Sequence, residues 1–167
     1  MSLQNTTVFA SLAGGETFTA GQVSEAPSFL HQTASASVPL TNGSGSGQAQ
    51  RTVKFQLTVT SGTTIDLTAL SAAFGLDGGA RNFSAIKGIL IESTGTNGVT
   101  IAPGASNGWA GINAAASGNP LTIEPGGYWS RYSPVNGLTV DGTHKTILIA
   151  AVSGTETVTI SLVGVGS

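Results

Sequence analysis

The sequence predicts an all-β fold: an antiparallel, jelly-roll-like β-sandwich that carries a less regular N-terminal arm. Three observations predict this fold class. Apolar and polar residues alternate with a period of two in the clearest segments, short apolar pieces end at Gly, Asn, Pro or Asp, and a single short stretch has helical spacing. Strands without intervening helices exclude the parallel α/β folds, which leaves a sandwich, a jelly roll or a barrel.

Residues 1–33 form the predicted arm, and residues 34–167 form the predicted sandwich domain. After a candidate strand at Thr7–Leu12, the arm has scattered apolar residues without periodicity, and four of them are candidate contacts: Phe18, Val23, Phe29 and Leu30. This composition is too aromatic for a disordered tail. The arm therefore packs either on a neighbouring subunit or partner, or on its own sandwich.

Alternation defines the strands of the sandwich domain. Arg51–Thr60 is the clearest case, since Val53, Phe55 and Leu57 alternate with polar residues, and the C-terminal segment around Ile160 repeats the pattern. Ser35–Leu40 is predicted as an edge strand because Pro39 cannot donate to a ladder. Shorter β-branched pieces complete about eight strands, as in a sandwich; they are Ile86–Ile91, Val99–Ile101, Leu121–Ile123, Leu138–Val140 and Ile147–Val152.

Helical spacing is confined to Thr68–Phe74. Leu67, Leu70 and Phe74 fall on one helical face, and Gly75 is a plausible C-cap. This segment predicts two helical turns at most.

Composition excludes several classes of function. Only 8% of the 167 residues are charged, against about 25% in an ordinary domain, and the six Lys and Arg residues are scattered singly. No basic stripe exists to neutralise phosphates, so a nucleic-acid partner is not expected. The absence of Cys excludes disulfides and thiolate chemistry. Neither a secretory signal nor a membrane-spanning run is recognised, so a membrane partner is not expected either.

One motif imitates a hydrolase triad. Gly104–Gly108 matches G-x-S-x-G around Ser106, and Asp141 and His144 follow in the order of the α/β-hydrolases. That motif works on a strand-to-helix elbow over a parallel sheet, and the sequence after Gly108 is interrupted by Gly and Pro. We interpret it as a turn, and no catalytic residue is predicted.

The remaining glycine-rich and titratable residues predict no cofactor or metal site. The loop Gly43–Gly47 lacks the Lys of a phosphate-binding loop and leads into a strand. Gly142–Thr146 resembles the Gly-Lys-Thr end of such a loop, but His144 separates the glycine from the lysine, and Val140–Lys145 is interpreted as a turn. His31 and His144 lie far apart, and the eight carboxylates have no metal-ligand spacing. An ion at a subunit interface stays open.

Aromatic residues supply the candidate binding site. Trp109 lies in a Gly-rich loop, and a second cluster follows Gly127; its members are Tyr128, Trp129, Arg131 and Tyr132. Aromatics beside Arg are typical of interface hot spots and of platforms on which sugars stack. The alternative is that Trp109 and Trp129 close one end of the sandwich core.

Several segments together resemble a known class of protein. These are GSGSGQAQ, TTIDLTALSAAFGLDGG, FSAIKGILIEST, LTIEPGGYW and the closing Thr/Val strand. Over roughly residues 43–164 the chain resembles the small β-sandwich virion structural proteins of tailed bacteriophages. The resemblance implies a non-enzymatic particle component, either a capsid decoration (cement) protein or a tail or fibre component, and supplies no ligand residues.

The predicted function is therefore that of a bacteriophage virion structural protein, assembled in the host bacterial cytoplasm. As a decoration protein it would form a homo-oligomer and bind a major capsid or tail protein. The alternative is a carbohydrate- or receptor-binding head of a tail fibre, with a host-surface glycan as partner.

Overall fold

The computed structural model describes the backbone of residues 6–15, 31–70, 82–112 and 119–166, and the side chains of these ranges from residue 39 onward. These residues form twelve β-strands. The all-β prediction is thus confirmed for the described part of the chain.

The chain divides into two compact units, one of which is Thr7–Pro39, while the other contains the chain from Leu40 onward. In the smaller unit, β1 (Thr6–Gly15) is hydrogen-bonded to β2 (His31–Asn42). The boundary predicted from the sequence lies between residues 33 and 34, whereas the two units divide between Pro39 and Leu40, within β2. The candidate arm contacts Phe18, Val23, Phe29 and Leu30 lie outside the described residues.

Two antiparallel sheets make up the larger unit. The five-stranded sheet has the order β10-β6-β12-β4, with β9 also paired to β6; its members are β4 (Arg51–Val59), β6 (Phe83–Ser93), β9 (Tyr128–Tyr132), β10 (Leu138–Thr139) and β12 (Glu156–Gly166). The four-stranded sheet has the order β5-β11-β7-β8; its members are β5 (Thr63–Asp66), β7 (Val99–Pro103), β8 (Leu121–Ile123) and β11 (Thr146–Ala151).

A short parallel pair precedes the sandwich. Thr41 and Asn42 at the end of β2 pair with β3 (Gln48–Ala49). Parallel strands usually need a long crossover, but here the loop Gly43–Gly47 closes the pair. Gly47 has a φ of 64°, which glycine adopts without strain.

Alternation in the sequence places one face of the strands of these two sheets in a shared core. In β4, Val53, Phe55 and Val59 are buried while Thr52, Lys54 and Gln56 are exposed. β12 lies between β4 and β6 and pairs with both along most of its length. One hydrophobic cluster joins the inner faces of both sheets, and burial of this apolar area is the main force that holds the sandwich together.

Only the first residues of the predicted helix, Thr68–Phe74, fall within the described part of the chain. Leu67 and Leu70 are both fully buried, and Asp66 accepts hydrogen bonds from the N–H and the hydroxyl of Thr68 at 2.8 and 2.6 Å. Residues 71–81, including Phe74 and Gly75, lie outside the described residues. No helix among the described residues is long and apolar enough to cross a membrane.

Candidate functional site

The aromatic cluster after Gly127 is a strand, β9, and its residues alternate between two faces. Ile89 and Ile91 of β6 are buried in the core and pair with Arg131 and Trp129. Residues that pair directly share a face, so Trp129 packs against the core. Tyr128, by contrast, is 62% exposed on the opposite face.

Arg131 is tied to the interior. Its Nη1 donates to the carbonyl oxygen of Gly111 at 2.6 Å, in the loop between β7 and β8. A charge-assisted bond of this length fixes both the guanidinium and the loop carbonyl. The structure therefore separates Arg131 from the exposed tyrosines with which sequence analysis grouped it.

Trp109 lies entirely within the core and is 0% exposed. Its ring N–H donates to the carbonyl oxygen of Thr139 at 2.9 Å, and its backbone N–H donates to that of Thr146 at 2.8 Å. Gly111 makes room for the ring, since a Cβ built there would lie 2.2 Å from Trp109 Cζ2. The ring has no free face for a ligand, which agrees with the interpretation that Trp109 closes the sandwich.

The segments of the triad-like motif do meet in space, but their polar groups serve the turns. Lys145 and Thr146 donate backbone N–H groups to the carbonyl oxygen of Asn107 at 2.8 and 2.9 Å. The Thr146 hydroxyl bonds the carbonyl oxygen of Ser106. Among the described residues, no hydrogen bond links the Ser106 hydroxyl to His144.

Asp141 is occupied by its own turn. Its carboxylate accepts the N–H groups of Thr143 and His144 at 2.7 and 2.8 Å, and the Thr143 hydroxyl at 2.8 Å. The His144 ring lies 3.1 Å away. These bonds, above all that from the Thr143 N–H, lower the pKa of Asp141 to about 2. The group is thus an anion that caps a turn.

The glycine-rich loop covers a buried ammonium group. Lys87 is 2% exposed, and its Nζ donates to the carbonyl oxygens of Val135 at 2.7 Å and Gly45 at 3.3 Å. The Gly47 N–H donates to the carbonyl oxygen of Pro134 at 3.2 Å, which joins the two covering loops. Burial lowers the pKa of Lys87. The glycine-rich loop therefore binds the ammonium group of Lys87, whereas a phosphate-binding loop would bind a phosphate.

Glu156 is the second buried ion. Its carboxylate accepts the Asn97 N–H at 2.7 Å, the Gly95 N–H, and the Ser93 hydroxyl at 3.2 Å. The Asn97 N–H contributes most to lowering the pKa of Glu156, against the opposing effect of burial. The carboxylate thereby fastens the β6–β7 loop to the start of β12.

Asp66 is the second carboxylate in an ion pair, after Asp141, and it is also structural. Lys145 Nζ lies 2.7 Å from Asp66 Oδ2. Partial burial raises the pKa of Asp66, but the bonds from Lys145 and Thr68 outweigh this, so the pKa lies below its usual range. No group of three or more potential metal ligands occurs among the described residues.

What stays accessible is the outer side of β9 and the loop after it. Of the four exposed large hydrophobic side chains in the described part of the chain, three lie between positions 128 and 135; they are Tyr128, Tyr132 and Val135. The fourth is Val152, beside β11. The candidate functional site is therefore the outer face of the five-stranded sheet at β9.

Comparison with known proteins assigns this chain to no group: no protein-family model matches it, and no curated protein or solved structure is significantly similar to it.

Proposed function

We propose that this chain is a non-enzymatic structural protein of a tailed-bacteriophage virion, a capsid decoration protein that self-associates and binds the particle surface. In this proposal it is made in the host bacterial cytoplasm and becomes part of the virion. Two antiparallel sheets that share one core support the resemblance on which the proposal draws, and their strand orders are compatible with a jelly roll of two Greek keys.

The observation that carries the proposal is a surface with few charges. Of the ten charged side chains that the structure describes, only three are exposed: Lys54, Glu124 and Asp141. Burying such a surface against another subunit removes few ions from water, so the desolvation cost is low. Weak self-repulsion likewise permits close packing of many copies.

A second observation that supports the proposal is that three ionisable side chains form hydrogen bonds within the fold. Lys87, Glu156 and Asp141 each bind backbone groups of nearby loops. Such contacts hold loops in fixed shapes, which a surface used for subunit contacts requires. Contacts to the particle would then depend on shape and on backbone pairing at the edges of the sheets, and little on ion pairs.

Quantitative mass spectrometry of purified particles tests the proposal. We expect hundreds of copies per particle, bound to the shell. A binding assay with particles that lack the chain adds a physical test, since a contact without ion pairs should persist between about 0.1 and 1 M salt. A few to some tens of copies, or loss of binding at high salt, would contradict the decoration role.

The second candidate is the carbohydrate- or receptor-binding head of a tail fibre. The exposed side chains of Tyr128 and Tyr132 on one face of β9 favour it. Low copy number and location at the tail would select this candidate over the first.

A further inference from the structure

Pairing across the five-stranded sheet determines what surrounds the two tyrosines of β9. Tyr128, Ser130 and Tyr132 pair with Glu92, Leu90 and Gly88 of β6. The same rows continue into β12 at Thr159, Ser161 and Val163, and into β4 at Gln56, Lys54 and Thr52. These twelve residues are called the outer face.

The outer face carries many hydrogen-bonding groups and almost no net charge. Four of its twelve residues carry Ser or Thr hydroxyl groups, although Thr159 is only 7% exposed; Gln56 adds an amide, and the charges of Glu92 and Lys54 cancel. Gln56 Nε2 already lies 3.5 Å from the Thr159 hydroxyl. Donors and acceptors therefore lie in rows between and beside the two aromatic rings.

Tyr132 is held in position before any ligand arrives. A Cβ built on Gly88 would lie 3.2 Å from Tyr132 Cδ1 and 2.9 Å from Val163 Cγ1. The Tyr132 ring therefore packs over Gly88, in space that a larger residue would occupy. Tyr132 remains 37% exposed. Fixing an aromatic ring in advance reduces the entropy lost on binding.

The strand beneath the two tyrosines is anchored at both ends. Before Tyr128, the Gly127 carbonyl accepts the Ser93 N–H at 3.0 Å, and the Gly126 N–H donates back to Ser93 at 3.0 Å. After Tyr132, the Ser133 N–H donates to Lys87 at 2.9 Å. The Cα atoms of Tyr128 and Tyr132, four residues apart in a strand, are about 13 Å apart.

We propose that the outer face binds a neutral polysaccharide, with Tyr128 and Tyr132 stacking on sugar rings and the polar rows bonding sugar hydroxyls. The apolar faces of pyranose rings stack on aromatic rings, whose own polar edge stays in water. A separation of about 13 Å suits an oligosaccharide of several units better than a monosaccharide.

The composition of the outer face favours a saccharide over other partners. A protein interface has an apolar core, whereas Ser130 separates the two tyrosines along β9 and its row continues through Leu90 to the polar residues Ser161 and Lys54. Nucleic acid needs several cations, and the outer face has Lys54 alone, balanced by Glu92. This inference requires no particular position of the chain in a virion.

Nuclear magnetic resonance titration of the full chain tests the inference. The probes are cello-, laminari-, malto-, manno- and chito-oligosaccharides of six units, each up to about 10 mM. We expect at least one probe to shift resonances of the outer face, and Tyr128→Ala to weaken its binding at least tenfold. Val152→Ala, an exposed hydrophobic truncation elsewhere, is the matched control and should leave binding unchanged.

Three results would overturn the inference. One is that no probe shifts the outer face; another is that shifts occur only at other surfaces. The third is that Tyr128→Ala changes the oligomeric state without affecting any sugar, which would assign the face to a second copy. None of these results alters the copy number in particles, so the inference and the proposed function fail separately.

Discussion

Trp109 and Tyr128 belong to the same predicted aromatic site, yet the fold places them in opposite environments. Trp109 is fully buried, and its N–H is bonded to the carbonyl of Thr139. Tyr128 is largely exposed on an edge of the five-stranded sheet. Residue type alone therefore cannot distinguish an aromatic residue of the core from one that binds a ligand. The distinction is whether other residues of the protein cover the ring and form a hydrogen bond with its polar atom.

Replacing Trp109 gives the largest effect that this comparison predicts. Trp109→Ala removes a fully buried ring and leaves the Thr139 carbonyl without its donor, so we expect a loss of about 3–5 kcal/mol of unfolding free energy. Tyr128→Ala, the matched variant, should change it by less than about 0.5 kcal/mol. Urea denaturation measures both free energies of unfolding. Equal losses in the two variants would contradict the distinction between a core Trp109 and an exposed Tyr128.

The space around the Trp109 ring provides a second test. Gly111→Ala places a methyl group against the ring, and overpacking of this kind costs about 1–3 kcal/mol. Gly142→Ala is the control, because a Cβ there meets no atom within 4 Å. Denaturation together with tryptophan fluorescence checks the result; an unshifted spectrum and unchanged stability would place the ring elsewhere.

Glu156 extends the comparison to a buried charge. Because hydrogen bonds hold its pKa below the usual value, the stabilisation is present above pH 4.5 and is lost as the pH falls through the lowered pKa. Glu156→Gln should therefore lower the melting temperature at neutral pH, and the difference from the natural chain should shrink in acid. A difference that stays constant with pH would show that the carboxylate charge has no role.

Asp141 is an exposed carboxylate, in contrast to the buried Glu156, and its substitution should have the smallest effect on the free energy of unfolding. Its carboxyl group should titrate near pH 2, and Thr143→Val, which removes the hydroxyl donor, should raise the midpoint toward the ordinary value near 3.9. Carbon-detected resonance titration measures both midpoints. A midpoint near 3.9 in the natural chain would contradict the turn geometry.

Most of the fold could be predicted because it depends on local alternation. The strand predicted at Arg51–Thr60 is β4, and the short pieces at Val99, Leu121 and Ile147 are β7, β8 and β11. β5 was missed because Thr63–Asp66 is short and half polar. β9 was missed because Arg131 occupies an inward position and interrupts the alternation; the spacing of Tyr128, Ser130 and Tyr132 was the available signal.

The environments of single side chains could not be predicted, since their partners come from distant parts of the sequence. The Trp109 donor reaches Thr139 in β10, and the Glu156 carboxylate is held by the loop at Gly95–Asn97. Lys87 lies at a register shift between β6 and β12, where a bulge redirects its side chain. No local pattern specifies such contacts.

The most direct test of the proposed decoration role is cryo-electron microscopy of the particles with which this chain copurifies. We expect density for the sandwich at regularly repeated positions on the shell, with Trp109 inside the sandwich and the outer face of the five-stranded sheet turned to solvent. A shell without this density, or an outer face pressed against the major capsid protein, would contradict it.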